Sequence, residues 1–478
     1  MTTSTTTAPL QVHEPPCEDD VSPIRTVNPA TGETISEFCP HDLMAVEQLI
    51  DQACTAAGLW KRNSLAERCD VVRGVAEHLK EQRDDLSRLA TQEMGKPISQ
   101  ARAEIDKCIW LCEFYADRAA DYLKPEDVDT DADQSIVRFD PLGVVLGIMP
   151  WNYPFWQVLR FAVPAMLAGN TVVLKHASNV TSCALAIERL FTGPGMLPDI
   201  FTTIVLSSDK VDMMISHPAI RAVSVTGSER AGREVASQAG RFLKKSVLEL
   251  GGSDPFIVLD DADLDEAAIE GVKSRTQNNG ESCIAAKRFI VIDRVYDEFV
   301  ERFVAEMKSL AVGDPMNEDT DVGPIARSDL RDELHEQVKR SVQKGAKVLC
   351  GGKPVDGAGF YYEPTVLADV NPGMPAFDQE MFGPVAAVIR APNEDEAIRL
   401  ANESSLGLGA SIWTSSTEHA LGLAERIEAG AVFINAMVKS DPRVPIGGVK
   451  DSGYGRELGR YGIREFVNVK TVWVEASQ

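Results

Sequence analysis

The sequence predicts an α/β protein whose parallel sheets carry ligand sites at their strand ends, and three features lead there. Strand-length segments rich in Val, Ile and Leu alternate with segments of helical periodicity between about residues 142 and 251, as strands joined by crossover helices do. The alternation resumes after Gly252, so a second α/β unit follows the first. The 478 residues exceed the roughly 250–300 at which one hydrophobic core stops growing, which leaves room for both.

Taken in order, residues 1–24 are rich in Thr, Pro and acidic side chains without apolar periodicity and are expected to form a disordered tail. From Asp42 to about Leu123 apolar residues recur at helical spacing, as in AVEQLIDQACTAAGLW and in CDVVRGVAEHLKEQRDDLSRLATQEMG, closed by Gly95 before Pro97. The charged stretch LKPEDVDTDADQ marks a boundary near residue 125. The following SIVRFDPLGVVLGIMPW, β-branched around a Pro–Gly turn, suggests a hairpin or a strand pair. The first unit then runs through VVLGIMP, TVVLKHA, FTTIVLS and AVSVTGS, separated by helices ending at Gly169, starting about Ser182 and lying near VDMMIS. The second runs through PFIVLDDADL, CIAAKRFIVID, helices from about Tyr296 and Leu330, AAVIRAP, SIWTS and AVFINAM. Parallel sheets bind ligands beyond the carboxyl ends of their strands. Three strands here run straight into PWN, KHAS and TGS, which become the candidate cofactor positions.

Composition excludes several classes of function. Hydrophobic residues at 44% and charged residues at 25% are those of an ordinary folded protein. A net charge of −24 repels a phosphate backbone, so nucleic acid is not an expected partner, and the acidic surplus reads as a solvated surface. The nine cysteines are scattered, and no disulfide framework is readable from them. Without Cys-x-x-Cys, His-Glu-x-x-His or clustered histidines, no metal site is expected. The amino terminus lacks the cationic and apolar regions of a secretory signal, and no apolar run reaches the length that crosses a bilayer, so a cytoplasmic protein is expected.

Taken alone, the individual motifs say little. TGSERAG, with Gly227 and Gly232, matches neither the dinucleotide fingerprint nor the phosphate loop, although a helix amino terminus after a strand can bind anions. Cys283 alone is one small group before an apolar segment. As a nucleophile it would need a base, an oxyanion donor and an acceptor for what leaves, all from other segments.

Such segments are present in one order: PWNYP at 150–154, VTGSERAG at 225–232, LELGGSDP at 248–255, NNGESC at 278–283, EMFGPV at 380–385 and PIGGVKDSGYGRE at 445–457. With them the chain resembles the aldehyde dehydrogenase superfamily over nearly all of residues 25–478. In FWQVLRFAVPAMLAGN, LKHASNV and ELGGSDPFIV it looks most like the bacterial NADP-dependent succinate-semialdehyde dehydrogenases. The resemblance implies two doubly wound domains. A Rossmann-like cofactor domain would comprise residues 25–123 and 142–251, and a catalytic domain residues 252–451. Residues 124–141 and 452–478 would form a bridging element whose tail strand pairs with a neighbouring subunit, giving a homodimer or homotetramer.

The resemblance also implies roles. Cys283 would attack an aldehyde to form a thiohemiacetal, with the Asn152 amide and the Cys283 backbone N–H holding the oxyanion. Glu249, 34 residues before Cys283, would activate the water that opens the resulting thioester. Trp151, Asn152, Leu250, Glu380 and Phe382 would surround the nicotinamide end, Gly227 and Ser228 the pyrophosphate, and Lys175, His176, Ala177 and Ser178 the adenine ribose. NAD-preferring relatives commonly carry Glu where Ser178 stands. Its absence leaves donors for a 2′-phosphate from Lys175 and His176, which favours NADP, with NAD the weaker alternative. Arg160, eight residues after Asn152, would face the aldehyde channel with Trp156 and Ser440 and bind a substrate carboxylate. Oxidation of succinate semialdehyde, as in GABA degradation, follows from the same resemblance. Glutarate semialdehyde, a broad aliphatic range, a cysteine hydrolase and a catalytically silent structural protein are the alternatives. The sequence departs from the family at Gln277, where an arginine is common, with Arg275 two places earlier. It departs again at Glu281, where a neutral Gln is usual, and at Ile446 in Pro445–Gly448.

Overall fold

Val-rich runs bury both faces when helices cover both sides of a parallel sheet, and every residue of Thr171–His176 and Asp254–Val258 is buried. The computed structural model describes residues 17, 21–193 and 196–475. Its first sheet has six strands in the order Gly453–Tyr454, Lys245–Glu249, Ile220–Thr226, Val144–Met149, Thr171–His176 and Phe201–Thr203, parallel except for the first. Its second has seven, in the order Lys347–Cys350, Thr365–Ala368, Val385–Ala391, Ala286–Ile292, Asp254–Val258, Gly409–Trp413 and Ala431–Ile434, again parallel except for the first.

The helical region consists of Leu43–Trp60, Leu65–Glu81, Arg83–Met94 and Ile98–Tyr122. Asp42 caps the first, Ser64 and Glu67 form a capping box on the second, and Gly95 in left-handed conformation closes the third. The apolar faces of the last three pack with helix Trp156–Leu167 into one large core, whereas Val46, Ile50, Ala53 and Ala57 of the first pack in a second core against the first sheet.

Four expectations change. The segment around Pro141–Gly143 is not a hairpin, because its turn passes the chain between sheets. Gln134–Pro141 joins a three-stranded antiparallel sheet, and Val144–Met149 enters the first parallel sheet. The backbone N–H groups of Leu142 and Gly143 donate to the Asn170 side chain at 2.8 and 3.0 Å, which fixes that passage. The proposed bridging element is also divided. Gly453–Tyr454 extends the first sheet beside Glu249, whereas Val467–Val474 pairs along its whole length with Gln134–Pro141 of the same chain. An unforeseen hairpin, Ile24–Val27 with Thr34–Phe38, begins inside the expected tail. Finally, Cys17 is bonded to Cys39, a disulfide that scattered spacing does not disclose. The rest of the expected tail up to residue 20 lies outside the described residues.

Candidate active site

The parallel strands of the first sheet end along one edge, and the predicted residues follow those ends. Met149 leads into Trp151 and Asn152, His176 into Ala177 and Ser178, Thr226 into Gly227 and Ser228, and Glu249 into Leu250. Opposite them, the turn before Cys283 is left-handed at Asn278, Asn279 and Gly280 in succession. Asn tolerates this conformation, and a Cβ at Gly280 would meet the Gly383 carbonyl carbon at 2.3 Å. Side-chain hydrogen bonds hold the turn: Asn279 Nδ2 donates to Gly95 O and Pro324 O, and Asn278 Nδ2 donates to the backbone oxygens of Asn152 and Glu281 at 2.9 and 3.0 Å. Asn152 Nδ2 also donates to Glu281 O at 3.0 Å, so the amide is tied to the loop of the nucleophile.

Cys283 stands where two cavities meet. One, of about 580 Å³, is lined by Trp151, Asn152, Gly227, Ser228, Leu250, Glu380 and Phe382, with the Trp151 and Phe382 rings edge to face at 5.8 Å. The other, of about 570 Å³, is lined by Trp156, Arg160, Ser440, Lys107 and Gln277 among others. Burial pushes the Cys283 thiol up to about 11; Lys287 and Arg160 act against that shift, and Glu380 and Glu249 add to it. Burial likewise pushes the Glu249 carboxyl up to about 8. Glu249 Oε1 and Asn152 Oδ1 are buried without a hydrogen-bond partner, rare for native polar atoms and suited to a site that awaits reactants.

Three predicted residues behave differently from expectation. His176 is not a phosphate donor. Its Nδ1 accepts from Ala177 N at 2.9 Å, its Nε2 faces Pro154 O at 2.9 Å, and burial lowers its pKa to about 4. The physical reason is that successive strand residues point to opposite faces, so Lys175 and His176 cannot both reach one ligand. Arg160 lines the cavity as expected, but its guanidinium is ion-paired with Glu457, both side chains being 3% exposed. Glu457, then Glu249 and Cys283, hold Arg160 protonated against the effect of burial. Glu457 thus engages one side of the guanidinium, while Nη2 is buried without a hydrogen-bond partner. Glu281 is fully buried, burial pushes its carboxyl well up, favouring the neutral acid, and its Oε1 accepts from Ala326 N at 3.0 Å. A neutral acid resembles the neutral amide usual at that position. Arg275 is fully buried and donates to Gly280 O, away from the substrate cavity.

Sequence reasoning missed three contributors. Lys287 donates to the carbonyls of Ser282 and Cys283 at 2.7 and 2.6 Å and pairs with Glu380 Oε1 at 3.2 Å, joining the nucleophile loop to the cofactor side. Glu104, ion-paired with buried Lys96, accepts from the N–H groups of Phe155 and Trp156 at 2.8 and 2.9 Å and so caps the helix that carries Arg160. Lys107, one helical turn beyond Glu104, donates to Ser440 Oγ at 2.7 Å. Charges recurring at i and i+3 on the buried face of helix Ile98–Tyr122 are the signal that could have found the last two.

Lys175 tests the fit of a phosphorylated cofactor. It is buried with no carboxylate partner among the described residues, its Nζ 3.5 Å from Ser208 Oγ. A desolvated cation among hydroxyls suits an anion.

Residues 17–472 match the model of the aldehyde dehydrogenase family. The chain is 50% identical over 451 residues to a probable NADP-dependent succinate-semialdehyde dehydrogenase of Synechocystis, covering 94% of this chain and 99% of that one. It is 47% identical to the NAD(P)-dependent succinate semialdehyde dehydrogenase of Escherichia coli, covering 94% and 97%. A succinic semialdehyde dehydrogenase from Streptococcus pyogenes, solved with NADP, superposes with a TM-score of 0.93 at 36% identity, covering 95% of this chain and all of that one. With its motifs, its two parallel sheets and its paired cavities, the chain belongs to the aldehyde dehydrogenase family.

Proposed function

We propose that this chain oxidises succinate semialdehyde to succinate with NADP, and with NAD less well. The observation that carries this is the place of Cys283 at the meeting point of two cavities, one suited to a dinucleotide and the other containing cationic side chains. Trp151, Gly227, Ser228, Leu250, Glu380 and Phe382 would hold the nicotinamide half of the cofactor, and Lys175, Ala177 and Ser178 its phosphorylated ribose. When bound, NADP supplies the hydride acceptor. Cys283 Sγ adds to the aldehyde carbon, and the Asn152 amide, which has a second hydrogen beyond that given to Glu281 O, would bind the oxyanion. Glu249, deprotonated above about pH 8, takes a proton from the water that opens the thioester.

Formation of NADPH from succinate semialdehyde by the purified chain, and its absence in Cys283→Ala, tests the reading. An active Cys283→Ala would refute it. The exposed Val469, Trp473 and Val474 on the edge strand Val467–Val474 support a homodimer or homotetramer, which sedimentation would measure. Among the described residues no helix is long and apolar enough to cross a membrane. Free thiols at Cys54, Cys69, Cys108, Cys112, Cys183, Cys283 and Cys350 suit a cytoplasmic location, whereas the Cys17–Cys39 bond is of a kind that a reducing cytoplasm disfavours.

A further inference from the structure

Taking an ammonium out of water is costly, so the partners for which a protein buries one indicate its role. Lys287 and Arg288 are adjacent in the strand Ala286–Ile292, whose residues are all buried, and they face opposite sides of the sheet. Arg288 serves the framework, donating to the backbone oxygens of Ser253, Leu400 and Ala401 at 2.9, 2.7 and 2.9 Å. Lys287 serves the nucleophile: its Nζ donates to Ser282 O and to Cys283 O itself, at 2.7 and 2.6 Å. Its counter-ion is Glu380 Oε1 at 3.2 Å, the same oxygen that accepts from Gly252 N at 3.1 Å. That carboxylate is confined, since a Cβ at Gly251 would meet Glu380 Oε2 at 2.7 Å.

We propose that Lys287 is a positioning residue for the nucleophile, holding the Cys283 turn by its carbonyls and supplying positive charge that favours the thiolate over the thiol. This rests on the reading of Cys283 as the nucleophile, which turnover of Cys283→Ala tests separately. The charged groups around Lys287 are Glu380, Asp254 and Arg275. Those around the thiol are Lys287, Arg160, Glu380 and Glu249, with the Tyr153 phenol kept neutral by burial. Of the two cations that act against burial of the thiol, Lys287 has the larger effect, and Arg160 is shared with Glu457. Glu380 opposes the thiolate twice, by its own charge and by its hold on the Lys287 ammonium. Lys287 thus couples a carboxylate of the cofactor side to the acidity of the nucleophile.

The test is alkylation of Cys283 by iodoacetamide, an uncharged probe, in the full chain without cofactor, followed by mass mapping of the modified peptide because Cys54 is also exposed. Rates are compared at pH 7, below the value of about 8 at which Glu249 loses its proton, and then across pH. Lys287→Gln keeps a donor for the carbonyls and removes the charge. It should slow alkylation by about three- to tenfold and move the rate profile to higher pH, whereas Lys287→Arg should stay within about twofold of wild type. Glu380→Gln, which leaves both carbonyl contacts of Lys287 in place, should speed alkylation by about threefold or more and needs no change at Lys287. With NADP, Lys287→Gln should lower kcat/KM by the same factor for succinate semialdehyde and for butanal, which has the same four carbons and no charge. A Lys287→Gln profile that coincides with wild type, a Lys287→Arg slowed as much as Lys287→Gln, or a Glu380→Gln that alkylates no faster would overturn the proposal. A loss confined to succinate semialdehyde would also overturn it, by placing Lys287 in substrate recognition.

Discussion

The two cavities that meet at Cys283 are nearly equal in volume, about 580 and 570 Å³, yet they are built in opposite ways. The cofactor side is made from strand ends, where a few consecutive residues carry both the turn and the contact. The substrate side is made from helix faces and a distant loop, so that Lys107 and Ser440 touch across 333 positions of sequence. A cofactor site assembled from contiguous segments tolerates little local change. A substrate site assembled from separate surfaces can alter its selectivity one side chain at a time.

The largest expected effect falls at the junction. Cys283→Ala should reduce turnover by on the order of a thousandfold or more, while NADP binding, followed by fluorescence titration, stays near wild type because the strand ends are untouched. Loss of both together would mean that the cavities are not separable. Next, Glu249→Gln should permit one rapid turnover of NADPH and then slow steady-state turnover by about a hundred- to ten-thousandfold. In wild type the steady-state rate should climb with pH through about 8, since a carboxyl raised to that value becomes a base only above it. A flat profile would remove Glu249 from the water step.

Ser178→Glu should shift cofactor preference from NADP toward NAD by repelling a 2′-phosphate, an effect of about 1 kcal/mol in water and about 4 kcal/mol near a protein surface. The ratio of succinate semialdehyde to butanal should not move with it. If it did, the two sides would be coupled. The smallest effect belongs to Glu281→Gln, which exchanges a neutral acid for a neutral amide while keeping an oxygen for Ala326 N. Turnover should change by less than about tenfold, the equivalent of roughly one hydrogen bond. A much larger loss would show that Glu281 exchanges a proton during the reaction.

The contrast also explains what was legible in the sequence. Asn152, Gly227, Ser228 and Leu250 sit on turns after parallel strands, where local motif and spatial role coincide. Lys107 and Glu104 lie within an amphipathic helix whose pattern reports a helix and not what its polar members face. Lys287 was hidden for a similar reason, as one of two adjacent charged residues in a fully buried strand, of which the lysine reaches back to the nucleophile loop. His176 was misjudged because adjacency along a strand was taken for adjacency in space. Arg160 was correctly placed on the cavity wall, but Glu457, which pairs with it, is brought in by a segment almost three hundred residues away.

That same segment ties the end of the chain to both sides of the site. Gly453, at φ +109°, lies so close to Leu248 O that only a glycine fits, and it anchors the chain beside the strand of Glu249. Four residues on, Glu457 reaches Arg160, and Val467–Val474 closes against Gln134–Pro141. During translation the ribosome completes the nucleophile, the base and the amide well before this closing segment emerges. Without this segment Arg160 would lack its Glu457 partner and Gln134–Pro141 would lack its neighbouring strand, so the last part of the chain completes both the substrate cavity and the sheet behind it.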